Sequence, residues 1–144
     1  AERLVFAQRA SLPDHLARHR LADLFLDNIP VNAHTTASDA LWAGLPVLTI
    51  LGDTFVGRVA ASLLHAVGLP ELIAESPEAY EQMAVDLATD PSRLAALKAR
   101  LAANRPTAPL FDTKRFTRHI EAAYTAMYRR HQAGLAPDHI DVPA

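Results

Sequence analysis

The sequence predicts an α/β fold in which a parallel sheet is flanked by helices. Four short apolar runs alternate with stretches that open on helix-capping residues, and such alternation is typical of repeated strand–helix units. Half of the 144 residues are hydrophobic, which is enough to form one buried core. We therefore expect one domain built on a doubly wound parallel sheet.

Strands and helices alternate in the first half of the chain. The run at residues 4–7 predicts a buried strand, and Ser11 opens a helix that ends near residue 21. A second strand at 24–26 and a loop at 28–32 lead to a helix that Thr35 or Thr36 caps and Gly44 ends. The remaining elements of this half are a strand at 46–51, a helix at 56–67 and a small strand at 72–74.

Helices dominate the second half. Ser76 and Asp90, each followed by proline, predict helices that run to about residues 88 and 104. An apolar stripe predicts a long amphipathic helix at the end of the fold. These patterns divide the chain into an α/β domain at 1–111, a long helix at 112–132 that packs back on the fold, and a tail at 133–144.

Composition excludes several classes of protein. The formal net charge of −2 provides no broad basic surface for nucleic acid. The absence of cysteine excludes disulfide scaffolds, thiolate metal sites and cysteine nucleophiles. No apolar run approaches the roughly 20 residues that cross a bilayer, so we expect a soluble cytoplasmic protein without a membrane partner. Because the chain opens without an initiator methionine, we also expect a fragment of a longer protein.

Two strand-to-helix turns carry the candidate chemistry, one at 11–18 and one at 32–39. The carboxyl ends of parallel strands share one edge of the sheet, and ligands bind there. A helix N-terminus presents unpaired N–H groups and a positive dipole end, both of which suit phosphate. His34, Thr35 and Thr36 add an imidazole and two hydroxyls, and Asp39 could accept hydrogen bonds from a ribose.

Other interpretations of these residues stay open. Ser11 with Asp14, and Thr36 with Asp39, resemble capping boxes that satisfy a helix end without a ligand. His15 and its neighbour four residues later have a spacing that can bind zinc, although no third ligand stands nearby.

The segment from Asn32 to Gly44 reads NAHTTASDALWAG, and it closely resembles the nucleotide-binding segment of protein O-linked N-acetylglucosamine transferases and the related SPINDLY proteins. The resemblance continues at 58–62, 71–74 and 109–114 and reaches the Pro-Asp-His near the end of the chain. It implies the GT-B architecture of two Rossmann-like domains. This chain would then be most of the carboxyl-terminal, donor-binding domain, without its upstream strand and helix.

The same resemblance implies which residues hold the donor nucleotide. Backbone near Ala10 would meet the base, and His15 and Arg18 would belong to the same base-binding segment. Leu12 stands where animal members carry a lysine, so one contact to base or ribose is lost or replaced.

The second turn would then hold the rest of the nucleotide. His34, Thr35 and Thr36 would bind the diphosphate at the helix start, and Asp39 would bind the ribose. These roles agree with the physical interpretation of the two turns.

The resemblance further implies an inverting, metal-independent transfer of N-acetylglucosamine from UDP-N-acetylglucosamine to serine or threonine of proteins. The catalytic residues are expected upstream, in parts that include an amino-terminal GT-B domain and tetratricopeptide repeats, so this fragment alone should be inactive. The alternatives are a GDP-fucose-dependent protein O-fucosyltransferase of the SPINDLY type and a non-catalytic nucleotide-binding module.

Overall fold

Three parallel strands form the central sheet in the structure, a computed structural model that describes residues 2–142. The strands are β1 (Phe25–Leu26), β2 (Val47–Ile50) and β3 (Ile73–Ala74), and they lie side by side in that order. Phe25 pairs with Val47, and Thr49 pairs with Ile73. The predicted parallel sheet is therefore confirmed at the strands 24–26, 46–51 and 72–74.

Six α-helices of the described residues surround or follow the sheet. Helices α1 and α2 pack against each other, α2 and α3 contact β2, and α4 contacts both β2 and β3 while α5 packs on α4. The helices are α1 (Leu12–Arg18), α2 (Thr35–Ala43), α3 (Val59–Ala66), α4 (Pro77–Thr89), α5 (Pro91–Asn104) and α6 (Thr113–Gln132).

Local capping explains where most helices begin. The side chains of Ser11, Ser76, Asp90 and Asp112 each accept a hydrogen bond from the backbone N–H three residues later. Gly44 ends α2 in the left-handed conformation, with φ at 89°, which glycine adopts without strain. These ends agree with the sequence predictions.

The core lies on both sides of β2. Successive side chains of a strand point to opposite faces, and all four residues of β2 are buried, so both faces of the sheet are covered. Leucines from α2, α3, α4 and α5 fill the space against it. One leucine from each of these helices is fully buried, namely Leu41, Leu64, Leu87 and Leu101.

Two predicted elements differ from the structure. Residues 4–7 do not form a strand: Val5 and Phe6 are 91% and 86% exposed, and no strand among residues 2–142 pairs with this segment. An apolar run forms a strand only where a neighbouring strand takes up its backbone hydrogen bonds. The helix expected from residue 56 begins at Val59. Thr54 accepts a hydrogen bond from Gly57 N–H and so closes a 3₁₀ turn at Phe55–Gly57 before the helix.

The carboxyl-terminal end of α2 contacts the later part of the chain. The ring of Trp42 packs edge-on against Phe111, with ring centroids 5.1 Å apart. The guanidinium of Arg105 lies 5.7 Å from the centre of the Trp42 ring, and its Nη1 donates to the Trp42 carbonyl at 2.8 Å. Half of the indole surface remains exposed.

Helix α6 has no buried residue and contacts the 3₁₀ turn at Pro109–Phe111. The tail bends back beside it, since Arg130 donates to the carbonyl of Ala136 and pairs with Asp138 at 3.2 Å. Ala1 and the last two residues of the predicted tail lie outside the described residues. Across residues 2–142, none of the helices combines the length and the apolar character that a membrane span requires.

Candidate functional site

Helix α2 begins at the carboxyl edge of the sheet, just after the loop that follows β1. His34 occupies the N-cap position, and its carbonyl accepts a hydrogen bond from Ser38 N–H at 3.0 Å. The prediction that Thr35 or Thr36 caps this helix is wrong, because the helix starts one residue earlier and both threonines lie in its first turn. Within residues 2–142 no side chain caps this end. Its first N–H groups and both hydroxyls therefore remain free for a ligand.

Asp39 lies one turn further along α2 and is half-buried. Its carboxylate forms no ion pair with any described residue. The capping box suggested by Thr36 and Asp39 does not form, since Thr36 is not the N-cap residue. The carboxylate is thus left as a hydrogen-bond acceptor close to the start of the helix.

A cleft of about 560 Å³ opens beside this turn. Its walls are the loop at 28–34 together with Phe25 and Thr36. The imidazole of His34 faces the neighbouring loop, where its Nε2 lies 3.4 Å from the carbonyl oxygen of Val56. The ring also packs edge-on against Phe55, with centroids 6.3 Å apart.

The first predicted turn is built around Arg18. Its Nη1 donates to the carbonyl of Gln8 at 2.8 Å, and its Nη2 lies 2.5 Å from Nδ1 of His15. A guanidinium only donates hydrogen bonds, so Nδ1 of His15 is the acceptor and the ring proton sits on Nε2. Nε2 of His15 is then a donor, which can reach an acceptor such as a carbonyl oxygen of a base.

Ser11 caps this first helix, as expected if the turn satisfies the helix end without a ligand. Its hydroxyl also donates to the Asp14 carboxylate at 2.6 Å. Ala10 and Leu12, on either side of the cap, are exposed. Helix α1 packs on α2, and Pro13, Leu16 and Ala17 share a groove with Trp42 and Ala43 at the carboxyl-terminal end of α2. No hydrogen bond joins the segment at 10–18 to the turn at 34–39 in the described chain.

His15 on α1 and His19, which directly follows α1, both have hydrogen-bond partners within the protein. Nδ1 of His19 lies 2.8 Å from the carbonyl oxygen of His15, and Nδ1 of His15 faces Arg18. In the part of the chain that the structure describes, no cluster of three or more His, Asp or Glu side chains is arranged to hold a metal ion.

Sequence reasoning missed Asp27, which directly follows β1 and is buried. Its Oδ1 accepts the N–H groups of Asn28 and Ala33, and its Oδ2 accepts the hydroxyl of Thr49. The hydroxyl of Tyr80 donates to the Asp27 carbonyl at 2.9 Å. The sequence does show an acidic residue at the carboxyl end of a predicted strand, which could have marked Asp27 as a candidate. Its partners Thr49 and Tyr80 are far away in the sequence, so their contact with Asp27 could not be predicted.

Burial raises the pKa of Tyr80, and the nearby charge of Asp27 raises it further, against a smaller lowering by the hydrogen bond to the Asp27 backbone. The phenol therefore remains a donor throughout the neutral pH range.

The loops after β1 and β2 are packed closely. Asn32 donates its N–H to the Val56 carbonyl at 3.0 Å, and Oδ1 of Asn32 is buried without a partner among the described residues. A Cβ on Gly57 would come within 3.1 Å of the Pro30 carbonyl, so only glycine fits there without a shift of backbone. The loop at 52–57 thus supports the loop that lines the cleft.

Comparison with known proteins identifies the family. The profile described as Glycosyl transferase family 41 matches residues 1–120. The chain belongs to glycosyltransferase family 41. This confirms the resemblance stated from the segment at 32–44.

Curated relatives in family 41 cover nearly all of the chain. A UDP-N-acetylglucosamine–peptide N-acetylglucosaminyltransferase of Caenorhabditis elegans is 38% identical over 96% of this chain and 12% of its own length. A probable enzyme of the same description, SEC of Arabidopsis thaliana, is 41% identical over 98% of this chain and 14% of its own length. The probable UDP-N-acetylglucosamine–peptide N-acetylglucosaminyltransferase SPINDLY of Oryza sativa subsp. japonica is 38% identical over 86% of this chain and 13% of its own length.

A solved structure supports the fold of this family 41 chain. A mutant of the Thermobaculum terrenum O-GlcNAc transferase is 37% identical and aligns with a TM-score of 0.76 over 81% of this chain and 22% of its own. The predicted fold, a Rossmann-like parallel sheet of a GT-B glycosyltransferase, is thereby confirmed. The chain spans about an eighth of the length of the curated relatives that it matches.

Proposed function

We propose that this chain forms the donor-nucleotide-binding part of an inverting glycosyltransferase. The whole protein would move N-acetylglucosamine from UDP-N-acetylglucosamine to serine or threonine of proteins. The observation that carries the proposal is the uncapped N-terminus of α2, where His34, Thr35 and Thr36 place an imidazole and two hydroxyls beside free N–H groups. Membership of family 41 and the names of the relatives support the donor and the acceptor class.

The hydrogen-bond donors at the N-terminus of α2 suit a diphosphate leaving group. In the transfer, the acceptor oxygen forms a bond to the anomeric carbon while the bond from that carbon to the diphosphate breaks. Negative charge then grows on the diphosphate, and the donors and dipole of the α2 N-terminus stabilise it. The acceptor proton passes to a base in a part of the protein outside this chain.

The remaining roles follow the position of each residue. Asp39 would accept hydrogen bonds from the ribose hydroxyls, and Nε2 of His15 would donate to the base. Arg18 would hold His15 in this tautomer, while backbone at Ala10 and the side chain of Leu12 would line the base pocket.

The proposal assigns the rest of the reaction to other parts of the protein. An amino-terminal GT-B domain would supply the catalytic groups, and tetratricopeptide repeats would guide acceptor proteins. We propose that the transfer needs no metal ion or other cofactor and takes place in the cytoplasm.

Calorimetric titration of the full-length protein with UDP, GDP and inorganic phosphate tests the donor site. We expect UDP to bind more tightly than GDP or phosphate. In the proposal, Nε2 of His34 exchanges its 3.4 Å contact with the Val56 carbonyl for a phosphate oxygen. Replacing His34 with alanine removes this hydrogen bond to a charged group, which weakens UDP binding by about 1.5–3 kcal/mol, or roughly tenfold or more. The control is His65→Ala, which removes an exposed histidine on α3 and should leave UDP binding unchanged.

The outcomes separate the alternatives. Preference for GDP would favour the fucose-transferring branch, and nucleotide binding without sugar transfer by the whole protein would favour a non-catalytic module. Absence of UDP and GDP binding by the folded, full-length protein would overturn the proposed donor site.

A further inference from the structure

The carboxylate of Asp27 closes the loop that leads into α2. Only 6% of this residue is exposed. Its Oδ1 accepts the N–H of Asn28 at 2.8 Å, where the loop begins, and the N–H of Ala33 at 2.7 Å, where the loop ends. One oxygen atom therefore fixes the distance between the two ends of this loop.

The same residue is tied to two other elements of the fold. Its Oδ2 accepts the hydroxyl of Thr49, a fully buried residue of β2, at 2.6 Å. Its backbone carbonyl accepts the hydroxyl of Tyr80 on α4 at 2.9 Å. The carboxylate is thus held against the sheet, while the loop it closes is largely exposed between Asn28 and Val31.

The end of this loop determines where the turn of His34, Thr35 and Thr36 lies, which we call the phosphate turn. Ala33 immediately precedes His34, the N-cap residue of α2, so the bond from Oδ1 to Ala33 N–H locates the first residue of the turn relative to β1. The N–H of Asn32 adds a second link, to the Val56 carbonyl of the neighbouring loop.

We propose that Asp27 is a positioning residue of the donor site. Building on the proposed function, it holds the turn of His34, Thr35 and Thr36 where its donors meet the diphosphate of the nucleotide sugar. Asp27 does not touch the nucleotide and acts only through the backbone at Asn28 and Ala33. Because a misplacement of about 1 Å can cost about 100-fold in rate, a loosened turn should affect the phosphate contacts before it affects the fold.

The variant Asp27→Ala tests this role because it removes every side-chain acceptor at the loop closure. Asparagine would not test it, since one amide oxygen can still accept both N–H groups while the amide NH2 donates to the Thr49 hydroxyl. In the full-length protein we expect UDP to bind about tenfold or more weakly, with a similar loss in kcat/KM for the nucleotide sugar. Uridine, which lacks the phosphates, should bind within about twofold of its affinity for the unchanged protein. The base segment lies on α1, and Asp39, the proposed ribose contact, lies one turn into α2, beyond the loop end that Asp27 holds.

A matched control separates positioning from stability. Nδ2 of Asn104 donates to the Val67 carbonyl at 2.9 Å, beyond the carboxyl-terminal end of α3 and away from the phosphate turn. Asn104→Ala therefore removes a half-buried hydrogen bond from side chain to backbone without altering the site. We expect it to lower the Tm and to leave UDP and uridine affinity unchanged. Thr49→Val removes the hydroxyl that holds Oδ2 of Asp27 against the sheet, and it serves in the same comparison should Asp27→Ala fail to fold.

Each result has a defined meaning. A loss of UDP affinity in Asp27→Ala with uridine affinity retained, measured below the Tm of that variant, supports the proposal. Equal losses for UDP and uridine, or full UDP affinity in Asp27→Ala, overturn it. If the unchanged protein binds no UDP, the proposed function fails first, and that result is distinct from a failure of Asp27 alone.

Discussion

The hydroxyl groups of Thr35 and Thr36 are free because His34 takes the N-cap position one residue before them. Four other helices of the described chain begin with a serine or aspartate side chain that accepts a backbone N–H, whereas α2 begins without such a bond. A capped helix end has fewer donors to offer a ligand. Helix α2 lacks a side-chain cap because it begins after His34 and not after one of the threonines. The pattern of residue types in this segment does not indicate which of these residues starts the helix.

Replacing both threonines with valine tests their role at the phosphate. Valine keeps the shape and removes the donor, so we expect the double variant Thr35→Val, Thr36→Val to bind UDP about 100-fold or more weakly, given about 1.5–3 kcal/mol for each hydrogen bond to a charged group. Uridine affinity should not change. Titration calorimetry with both ligands measures this, and Thr89→Val on α4 is the control. A parallel loss for uridine would contradict contact with the phosphates.

Among elements, those with local signals were predicted well from the sequence. The starts of α4 and α5 agree with the structure because Ser76-Pro77 and Asp90-Pro91 act within one turn of the chain. The segment at 4–7 was wrongly predicted as a strand, since a strand also depends on a neighbour, which residue preferences do not report.

The candidate site was predicted only in part, because local sequence patterns indicate some of its residues and contacts between distant residues determine the others. The residues of the two turns stand within short segments, and a family motif marks one of them. Asp27 was missed because its partners Thr49 and Tyr80 lie 22 and 53 residues away in the sequence. Only the folded sheet brings these three residues together.

The cap of α5 makes part of the stability depend on pH. The hydrogen bond from Ser92, with the N–H of Arg93, holds the pKa of Asp90 below its ordinary value. A group whose pKa is lower in the folded state stabilises the protein above its unfolded pKa, and this contribution disappears as the pH falls through the folded pKa. We therefore expect acid, below about pH 4, to weaken the start of α5.

Thermal unfolding between about pH 7 and pH 2 measures this effect. Asp90→Asn keeps a capping oxygen but cannot ionise, so its Tm should fall less steeply with acid than that of the unchanged protein. Ser76→Ala is the control: it removes the uncharged cap of α4, costs about 1 kcal/mol and should leave the pH dependence as it was. An identical acid slope in Asp90→Asn would show that this cap does not contribute.

At the scale of the whole molecule, the chain accounts for about an eighth of the length of its curated relatives. The proposed donor set at the turn consists of N–H groups, hydroxyls and an imidazole, which are groups of the kind that donate to phosphate oxygens. Such a set can balance the charge of a leaving diphosphate, a task that a divalent ion performs in other enzymes.

Transfer by the full-length protein should accordingly survive removal of divalent ions. We expect the rate of sugar transfer to stay within about twofold when a chelator such as EDTA is added, because the turn supplies the positive potential itself. Chelator saturated with Mg²⁺ is the matched control. A rate that falls with chelator and returns with a divalent ion would contradict the metal-independent proposal.

The contact of Trp42 with Phe111 and Arg105 has an optical consequence. Trp42 is the single tryptophan of this sequence, so its fluorescence comes from one known place, the end of α2 opposite the phosphate turn. A change of wavelength or intensity when nucleotide is added would report movement carried along one nine-residue helix. The chain thus carries a built-in spectroscopic label on the element that we expect to sense the ligand.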